Sequence, residues 1–310
     1  MTTALDTRRC SANTRTAGRH VTQRRTILAR IVWIIVVATF LLFFVVPIAW
    51  ILLAPTRSDG DIVRGAPLAF GSWHGLGAAW DHVYAFQSHA ILTWIKNSAI
   101  YSFAALAITL ATSIPAGYAL AMTRFRLRKL LLTLTLMVML MPAATLVLPL
   151  YLEMDAVGLT GSIWSVILPF SFFPFGVYLT YTYYAATVSD DLLEAARIDG
   201  ANEWVVFHAI ALPLAKPVIA LVAFFNFVQN WNSFFLPYVM LPSSDQYPAQ
   251  VGLGNLLTSS PLFNSASGIS DIYRPEIALA ALITTVPVLV VFLFAQRALV
   301  TGMTAGATKG

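Results

Sequence analysis

Six stretches of this sequence contain no Asp, Glu, Lys or Arg, and together they make up about half of the 310 residues. Each stretch has the roughly 20 residues that a helix needs to cross the hydrocarbon core of a bilayer. The apolar residues run continuously instead of alternating with polar ones, which argues against a β-barrel. The sequence therefore predicts an all-α integral membrane protein with six transmembrane helices. The stretches are residues 31–56, 97–123, 130–152, 156–189, 217–244 and 277–296.

The basic residues are concentrated at the amino terminus, where seven of the nineteen Lys and Arg residues lie within the first thirty positions. A basic segment directly before a span is typical of a cytoplasmic anchor, so we expect a lipid bilayer and no nucleic acid as its partner. Arg24 and Arg25 also match a twin-arginine export signal. The apolar run that follows is about twice as long as the apolar part of such a signal, and no small-residue cleavage site closes it.

The charges of the short loops predict the orientation of the chain. The segment Arg124–Lys129 carries four positive charges, whereas the loop containing Glu153 and Asp155 is acidic. By the positive-inside rule the first segment is cytoplasmic and the second is external, which places both termini in the cytoplasm. The chain then divides into a basic tail expected to be disordered, a first span, an external loop, a core of spans two to six and a cytoplasmic tail. These segments are residues 1–30, 31–56, 57–96, 97–297 and 298–310.

The external loop carries four aromatic residues that are suited to a membrane interface. We expect them to form an interfacial belt. They are Trp73, Trp80, Tyr84 and Trp94.

One cytoplasmic loop, residues 190–216, is acidic where the positive-inside rule favours basic residues. Its sequence predicts two short helices. Asp191 would cap the first, Gly200 would end it in a left-handed conformation, Asn202 would cap the second, and Pro213 would end the second. We expect the first helix to present Leu192, Ala195 and Ala196 on one face and to pair Glu194 with Arg197. The alternative is an amphipathic linker that lies on the lipid headgroups.

The string EAARIDGANEWVVFHAIALP in this loop resembles the EAA loop of permease subunits of bacterial ABC importers. The strings KNSAIYS, GYALAMTRFRLRK, FNFVQNWNSFFLPYVML and GMTAGATKG also resemble the carbohydrate importers, in particular the G-type permease of the maltose system. Many members carry an acidic residue where this chain has Ser233. The resemblance implies that an ATPase-coupling loop is formed by Glu194, Ala195, Ala196, Asp199, Gly200, Ala201, Ile210, Leu212 and Pro213. It also implies that the carboxy-terminal tail contacts the ATPase through Gly302, Ala305, Gly306 and Lys309.

The resemblance further implies a set of partner proteins. These are a second, homologous permease subunit, two ATP-binding subunits and an extracytoplasmic solute-binding protein. The chain has no G-x-x-x-x-G-K-[ST] phosphate loop, so ATP and Mg²⁺ would be bound by the partner ATPase and this chain would carry no cofactor of its own. We therefore expect a non-enzymatic subunit that imports a sugar across the bacterial inner membrane. The alternative solutes on the same scaffold are glycerol-phosphate and polyamines.

The fifth span carries several side-chain amides, which are expensive in a membrane. Amides and aromatic faces suit a neutral sugar, so this face is a candidate translocation pathway. The alternative is that the amides join neighbouring helices, as polar residues in membranes commonly do. The candidate residues are Asn226, Gln229, Asn230 and Asn232.

Other chemistries have little support in the sequence. The single Cys10 excludes a disulfide framework and a multi-cysteine metal site, and no G-x-S-x-G or H-E-x-x-H string occurs. His74, His82 and His89 share the external loop, where a weak metal site is the less favoured interpretation. An integral-membrane enzyme and a signalling subunit without transport remain as alternatives of other classes. Eight prolines within the spans predict bent helices, and the fourth run is long enough to contain a break.

Overall fold

The computed structural model describes residues 7–264 and 271–304, and every regular element in those two ranges is helical. Two short 3₁₀ turns, Ala54–Thr56 and Ser244–Gln246, lie between the longer helices. The helices are α1 (Thr7–Leu53), α2 (Asp59–Arg64), α3 (Trp73–Ala85), α4 (Ala90–Met122), α5 (Arg128–Met139), α6 (Ala143–Ala156), α7 (Trp164–Ser171), α8 (Pro174–Thr187), α9 (Asp190–Ile198), α10 (Glu203–Leu214), α11 (Lys216–Trp231), α12 (Phe235–Met240), α13 (Ala249–Thr258) and α14 (Arg274–Thr304).

Four stretches are long and apolar enough to cross a membrane without interruption by a sharp bend. They are Ala29–Thr56, Ala90–Met122, Trp164–Thr187 and Arg274–Arg297. Two further helix pairs qualify only when each pair is taken as one span: α5 with α6, bent by 108°, and α10 with α11, bent by 74°. The fold therefore offers four spans without a sharp bend, and up to six if each bent pair crosses the membrane once.

The amino-terminal tail differs from the expectation of disorder. Helix α1 begins at Thr7 and continues into the first span without a break, while residues 1–6 lie outside the described part of the chain. Adding residues to an existing helix costs far less than nucleating one, so the apolar span can propagate helix into a tail rich in Thr and Arg. The exposed apolar surface of this span, which has no buried residue in its most apolar 18-residue window, suits lipid or another membrane helix.

Helix α4 is the central element of the fold and packs against α7, α8, α11 and α13. Its contact with α8 depends on a small residue. A Cβ atom at Gly117 would lie 2.4 Å from the Cβ of Thr180, so only glycine allows the two helices to approach so closely. The buried residues form three clusters around α4: one beside α8 to α11, one beside α3, α13 and α14, and one beside α6, α7 and α12.

Three of the apolar runs are interrupted near their middle. Residues Leu140–Pro142 separate α5 from α6, residues Phe172 and Phe173 separate α7 from α8, and residues 232–234 separate α11 from α12. The break predicted within the fourth run is confirmed. Proline explains two of the interruptions, since Pro142 and Pro174 lack the backbone N–H that would continue the preceding helix.

The four aromatic residues predicted for the membrane interface differ in their exposure. Trp73 and Trp80 are exposed, as expected, but Trp94 is completely buried and donates a hydrogen bond from Nε1 to the carbonyl oxygen of Ser244 at 2.9 Å. Placing Trp94 in an interfacial belt was therefore wrong. Its apolar neighbours on α3 and α13 bury the indole, and the loop carbonyl satisfies its one donor.

Candidate functional site

The acidic loop folds as two helices, α9 and α10, which we call the acidic helix pair. The predicted turn is confirmed: Gly200 has φ of +86°. The amide of Gly200 donates to the carbonyl oxygen of Arg197 at 3.1 Å, and the amide of Ala201 donates to that of Ala196 at 3.0 Å. These two bonds form a Schellman motif, in which a left-handed residue satisfies the last carbonyls of a helix.

The two predicted helix caps have opposite outcomes. Asn202 caps α10 as expected, because its Oδ1 accepts a hydrogen bond from the amide of Val205 at 2.9 Å. Asp191 does not cap α9, since the helix already begins at Asp190 and the preceding Ser189 makes no side-chain cap bond. The helix ends one residue after Pro213, at Leu214, and turns by 74° into α11.

An ion pair ties the two helices together, but its partners differ from those predicted. Arg197 Nε lies 2.7 Å from Glu203 Oε1, and its Nη2 lies 3.4 Å from Oε2. The expected pairing of Arg197 with Glu194 is wrong because the turn at Gly200 carries Glu203 back within reach. The hydrogen bond to Glu203 raises the pKa of the Arg197 guanidinium above its ordinary value.

The inner face of the acidic helix pair packs on the ends of α4 and α8. Leu193 is buried there, together with Val206 and Phe207 from α10. The predicted face of Leu192, Ala195 and Ala196 is only partly right. Ala196 packs inward, whereas Leu192 and Ala195 are exposed. Ala201, Ile210 and Leu212 are partly buried against the same cluster.

The outer face combines large apolar side chains with carboxylates. Ile198 is 86% exposed and Trp204 is 69% exposed, although both belong to well-formed helices that bury other residues. Asp191, Glu194 and Asp199 of the same helix pair are also exposed. Exposed aliphatic and indole side chains together with exposed acids suit docking of a protein with an apolar pocket and basic neighbours.

Backbone carbonyl groups at the interruption between α7 and α8 accept hydrogen bonds from polar side chains of neighbouring helices. Pro174 has no N–H to donate to the carbonyl oxygen of Phe170, four residues earlier. Asn226 Nδ2 donates to that oxygen at 3.2 Å, and Asn230 Nδ2 lies 3.4 Å from it and 3.1 Å from Asn226 Oδ1. Both Asn side chains are buried. This geometry favours the helix-joining role for these two amides over the pathway role.

The next carbonyl of the interruption has a donor from the central helix. Thr109 Oγ1 on α4 donates to the carbonyl oxygen of Ser171 at 3.0 Å. Irregular backbone at membrane depth is tolerated only where its polar groups are satisfied within the protein. Thr109 and the two amides meet that requirement for the carbonyl groups of Ser171 and Phe170.

A cavity of about 310 Å³ opens where the three interruptions converge. Ala143, Phe172 and Ser233, one from each interruption or its edge, contribute to its wall. Gln229 also lines it and, in contrast to Asn226, is exposed and makes no hydrogen bond with a described residue. The remaining lining residues are Ala144, Leu146, Val147, Leu150, Pro169, Phe170, Asn230, Phe234, Phe235 and Leu236. A cavity with a free amide, a hydroxyl and aromatic rings can bind a neutral polyol.

The other predicted residues are dispersed. Asn232 is exposed and donates to the carbonyl oxygen of Val228 in its own helix at 2.9 Å. Helix α14 includes Gly302, whereas the rest of the predicted tail contact lies outside the described residues. Those residues are Ala305, Gly306 and Lys309.

The histidines of the external loop do not converge. His82 Nδ1 lies 3.0 Å from Glu276 Oε1, and His89 Nδ1 lies 2.7 Å from the carbonyl oxygen of Tyr84. Within the described ranges, no group of three His, Cys, Asp or Glu side chains has the arrangement of a metal site.

Sequence reasoning missed three features of these sites: the exposed Ile198 and Trp204, the donor Thr109, and the role of the Phe170 carbonyl. Signals for two of them were available. A large aliphatic residue directly before Asp199-Gly200 is unusual in a polar turn, and a proline inside an apolar run frees the carbonyl four residues earlier.

Comparisons with known proteins agree on one family. Residues 113–305 match the family of binding-protein-dependent transport system inner membrane components. The arabinooligosaccharides transport system permease protein AraQ of Halalkalibacterium halodurans is 32% identical over 283 residues, which cover 90% of this chain and 96% of that protein. The diacetylchitobiose uptake system permease protein NgcG of Streptomyces coelicolor is 28% identical, and the match covers 82% of this chain and 80% of that protein.

A solved structure shares the fold. It is a chain of a bacterial ABC transporter involved in the import of the acidic polysaccharide alginate, with a TM-score of 0.74 and 24% identity. The match covers 88% of this chain and 97% of that chain. The arrangement of helices described above is therefore a known membrane fold.

Proposed function

Because the chain belongs to the family of binding-protein-dependent transport system inner membrane components, we propose that it is the permease subunit through which an ABC importer moves a sugar into the cell. Membership also places the chain in the bacterial inner membrane as a multi-pass protein. Its own part is to form half of the pathway and to receive movement from an ATPase.

The observation that carries this proposal is the outer face of the acidic helix pair. A helix that only linked two spans would gain nothing by exposing Ile198 and Trp204 to water, because each large apolar side chain costs free energy when it is left exposed. A partner subunit that covers these side chains removes that cost. The surrounding carboxylates favour a basic partner surface.

The partner proposed for this face is an ATP-hydrolysing subunit, which would bind ATP and Mg²⁺ on its own chain. Asn202, Gly200 and the Arg197–Glu203 pair make the acidic helix pair stiff, so a displacement at its outer face is passed to the ends of α4 and α8. The tail residues are proposed to contact the same subunit. They are Gly302, Ala305, Gly306 and Lys309.

The proposed topology counts each bent pair as one span, which makes six spans with both termini in the cytoplasm. The basic segment Arg124–Lys129 and the acidic helix pair then lie on the same side, and Gly158 and the Asp59–Arg274 ion pair lie outside. A solute-binding protein would deliver the sugar to that outer side, and a second homologous permease would complete the pathway.

The cavity at the three helix interruptions is the proposed contact with the solute. Transporters commonly place substrate sites beside discontinuous helices near the membrane centre. Gln229 and Ser233 offer hydrogen-bonding groups, and Phe172 and Phe234 offer ring faces to a sugar. The cavity contains no ionisable side chain, which favours a neutral solute over a polyamine or a glycerol-phosphate.

Uptake measurements test the proposed function. A strain that lacks this chain is given radiolabelled arabinooligosaccharides, diacetylchitobiose, putrescine or glycerol-3-phosphate, and uptake is compared with that of the complemented strain. We expect uptake of at least one sugar to depend on the chain and uptake of the two charged solutes to be unaffected. If only the uptake of putrescine or glycerol-3-phosphate depends on the chain, the solute is that alternative and not a sugar.

A further inference from the structure

A second cavity, of about 330 Å³, lies on the other side of the interruption between α7 and α8. Apart from residues 171–173 at that interruption, its wall is formed by α4, α5 and α8. The cavity described above, which we call the Gln229 cavity, is lined by residues of α6, α7, α11 and α12 and of the interruptions. Phe172 is the one described residue that lines both. The two cavities are therefore neighbours that meet at an aromatic side chain.

The proposed topology places the two cavities in opposite halves of the membrane. Helices α6 and α7 are joined on the outer side, so they form the outer halves of their spans. Helix α5 follows the basic segment Arg124–Lys129 and α8 leads to the acidic helix pair, so these two form the inner halves. We therefore call the second cavity the inner cavity. A solute that moves inward from the Gln229 cavity to the inner cavity has to pass Phe172.

One polar group in the wall of the inner cavity has no partner. Ser113 on α4 is only 1% exposed, and its hydroxyl makes no hydrogen bond with a described residue. Bulk water has little access to so buried a group, and a polar group without a partner is costly to bury. A solute in the inner cavity can supply the missing hydrogen bond.

Three further hydroxyls line the inner cavity, and each donates to a backbone carbonyl oxygen of its own helix. A hydroxyl that donates still has lone pairs with which it can accept. The hydroxyls of a sugar can therefore donate to these three oxygens, while the rings of Phe172 and Phe173 offer apolar contact. Among the described residues that line the inner cavity, none is ionisable, which favours a neutral solute. The three are Thr112, Thr135 and Ser171, with donor–acceptor distances of 2.9, 2.9 and 2.6 Å.

We propose that the inner cavity is a second binding site for the imported sugar, which enters it from the Gln229 cavity past the ring of Phe172. Phe172 is 65% exposed in the isolated chain, so contacts within the chain leave its ring free to turn aside. This inference rests on the proposed function, since it takes the Gln229 cavity as the first contact with the sugar and uses the proposed topology.

Protection of a cysteine from chemical reaction tests whether the inner cavity holds the sugar. In a Cys10→Ser importer, Ala116→Cys puts a thiol in the wall of the inner cavity, and Ala111→Cys puts one on the same helix outside both cavities. The purified importer is treated with methyl methanethiosulfonate, with and without saturating diacetylchitobiose or an arabinooligosaccharide, whichever the chain imports. We expect the sugar to slow the reaction of Ala116→Cys about tenfold, because bound sugar covers the thiol in most molecules.

The reaction of Ala111→Cys should be unaffected by the sugar. Equal rates for Ala116→Cys with and without the sugar would overturn the inference.

Filling the inner cavity tests whether transport needs it. Ala116→Leu adds carbon atoms to its wall, whereas Ala111→Leu makes the same change at an exposed position that lines neither cavity. We expect Ala116→Leu to lose uptake while ATP hydrolysis still responds to the loaded binding protein, because the acidic helix pair is unaltered. Ala111→Leu should keep both activities. Wild-type uptake by Ala116→Leu would overturn the inference, and if this variant does not assemble, the protection of Ala116→Cys decides.

A third measurement tests the passage at Phe172. In intact cells that carry Cys10→Ser and Ala116→Cys, a membrane-impermeant methanethiosulfonate should label the thiol faster after Phe172→Ala. Phe234→Ala is the control, because Phe234 lines the Gln229 cavity and not the inner one. Equal labelling with Phe172→Ala and with Phe234→Ala would overturn the passage.

The proposed function and this inference fail in different ways. If uptake of neither sugar depends on the chain, the proposed function fails and the inference falls with it. If uptake depends on the chain but sugar does not protect Ala116→Cys, the inference alone is wrong.

Discussion

Asn226 Nδ2 donates a hydrogen bond to the carbonyl oxygen of Phe170 at 3.2 Å, four residues before Pro174. Pro174 has no N–H to donate to that carbonyl oxygen, and the Asn226 amide donates to it from another helix instead. Asn226 thereby joins α11 to the interruption between α7 and α8. Its helix neighbour Gln229 faces the cavity instead.

Replacing these two amides by leucine should therefore have different effects. Asn226→Leu leaves the Phe170 carbonyl with only the longer contact to Asn230, which costs about 1–3 kcal/mol, and should lower the melting temperature and yield of the complex. Gln229→Leu removes a side chain that has no hydrogen-bond partner in residues 7–264 and 271–304, and it should leave the complex assembled while uptake of the sugar falls. Size-exclusion chromatography and uptake by the same cells measure both effects.

The opposite pattern would contradict this assignment. A stable Asn226→Leu complex that fails to transport would show that Asn226 belongs to the translocation pathway. A Gln229→Leu complex that transports at the wild-type rate would show that the cavity is not part of that pathway.

The topology predicts which side of the membrane exposes each of two residues. Val157 is 64% exposed in the loop after α6, which the proposed topology places outside, and Ile198 is exposed on the acidic helix pair, which it places inside. In a Cys10→Ser background, which has no other cysteine, Val157→Cys should react with a membrane-impermeant maleimide in intact cells and Ile198→Cys should react only after lysis. Labelling of Ile198→Cys in intact cells would reverse the orientation.

The outer face of the acidic helix pair predicts a docking defect. Trp204→Ala removes the largest exposed apolar side chain of that face and should weaken binding of the ATPase by about 2 kcal/mol or more, a loss of about 30-fold in affinity. Trp73→Ala is the control, because Trp73 is 76% exposed on α3, which the proposed topology places on the opposite side of the membrane. Copurification of the ATPase measures the difference. Equal retention by both variants would mean that the partner binds elsewhere.

The sequence was sufficient to predict the class of fold and the turn of the acidic helix pair. Uninterrupted apolar runs depend only on local composition, and the conformation of Gly200 follows from a short helix that must end. The same local reasoning predicted the Asn202 cap, because an N-cap bond spans only three residues.

The relationships that were missed depend on contacts between distant segments. The Arg197–Glu203 pair requires the path of the turn, and the burial of Trp94 requires the position of α13. The face of α9 that packs inward depends on α4 and α8, so helix periodicity alone selected Ala196 correctly but Leu192 and Ala195 wrongly. The sequence indicated that the fifth-span amides are important. It could not show which of them join helices and which face the cavity, because that depends on the position of the Phe170 carbonyl.

The central claim is that the acidic helix pair transmits movement between an ATPase and the spans. Gly200 is the position at which this can be changed with little effect on packing, since a Cβ atom there meets no atom within 4 Å. Its φ of +86° makes any other residue strained by about 1–2 kcal/mol, and a β-branched residue is the least tolerated. Gly158 is a matched control, with φ of +68°, equally open space and a place in the loop after α6, which the proposed topology puts on the outer side.

The most direct measurement is ATP hydrolysis by the purified importer, with and without its loaded binding protein, for Gly200→Val and Gly158→Val. We predict that Gly158→Val keeps the stimulation of the wild type, whereas Gly200→Val assembles in the membrane but either loses its ATPase or hydrolyses ATP without responding to the binding protein. A Gly200→Val importer with wild-type stimulation and wild-type uptake would contradict the account and reduce the acidic helix pair to a passive connection.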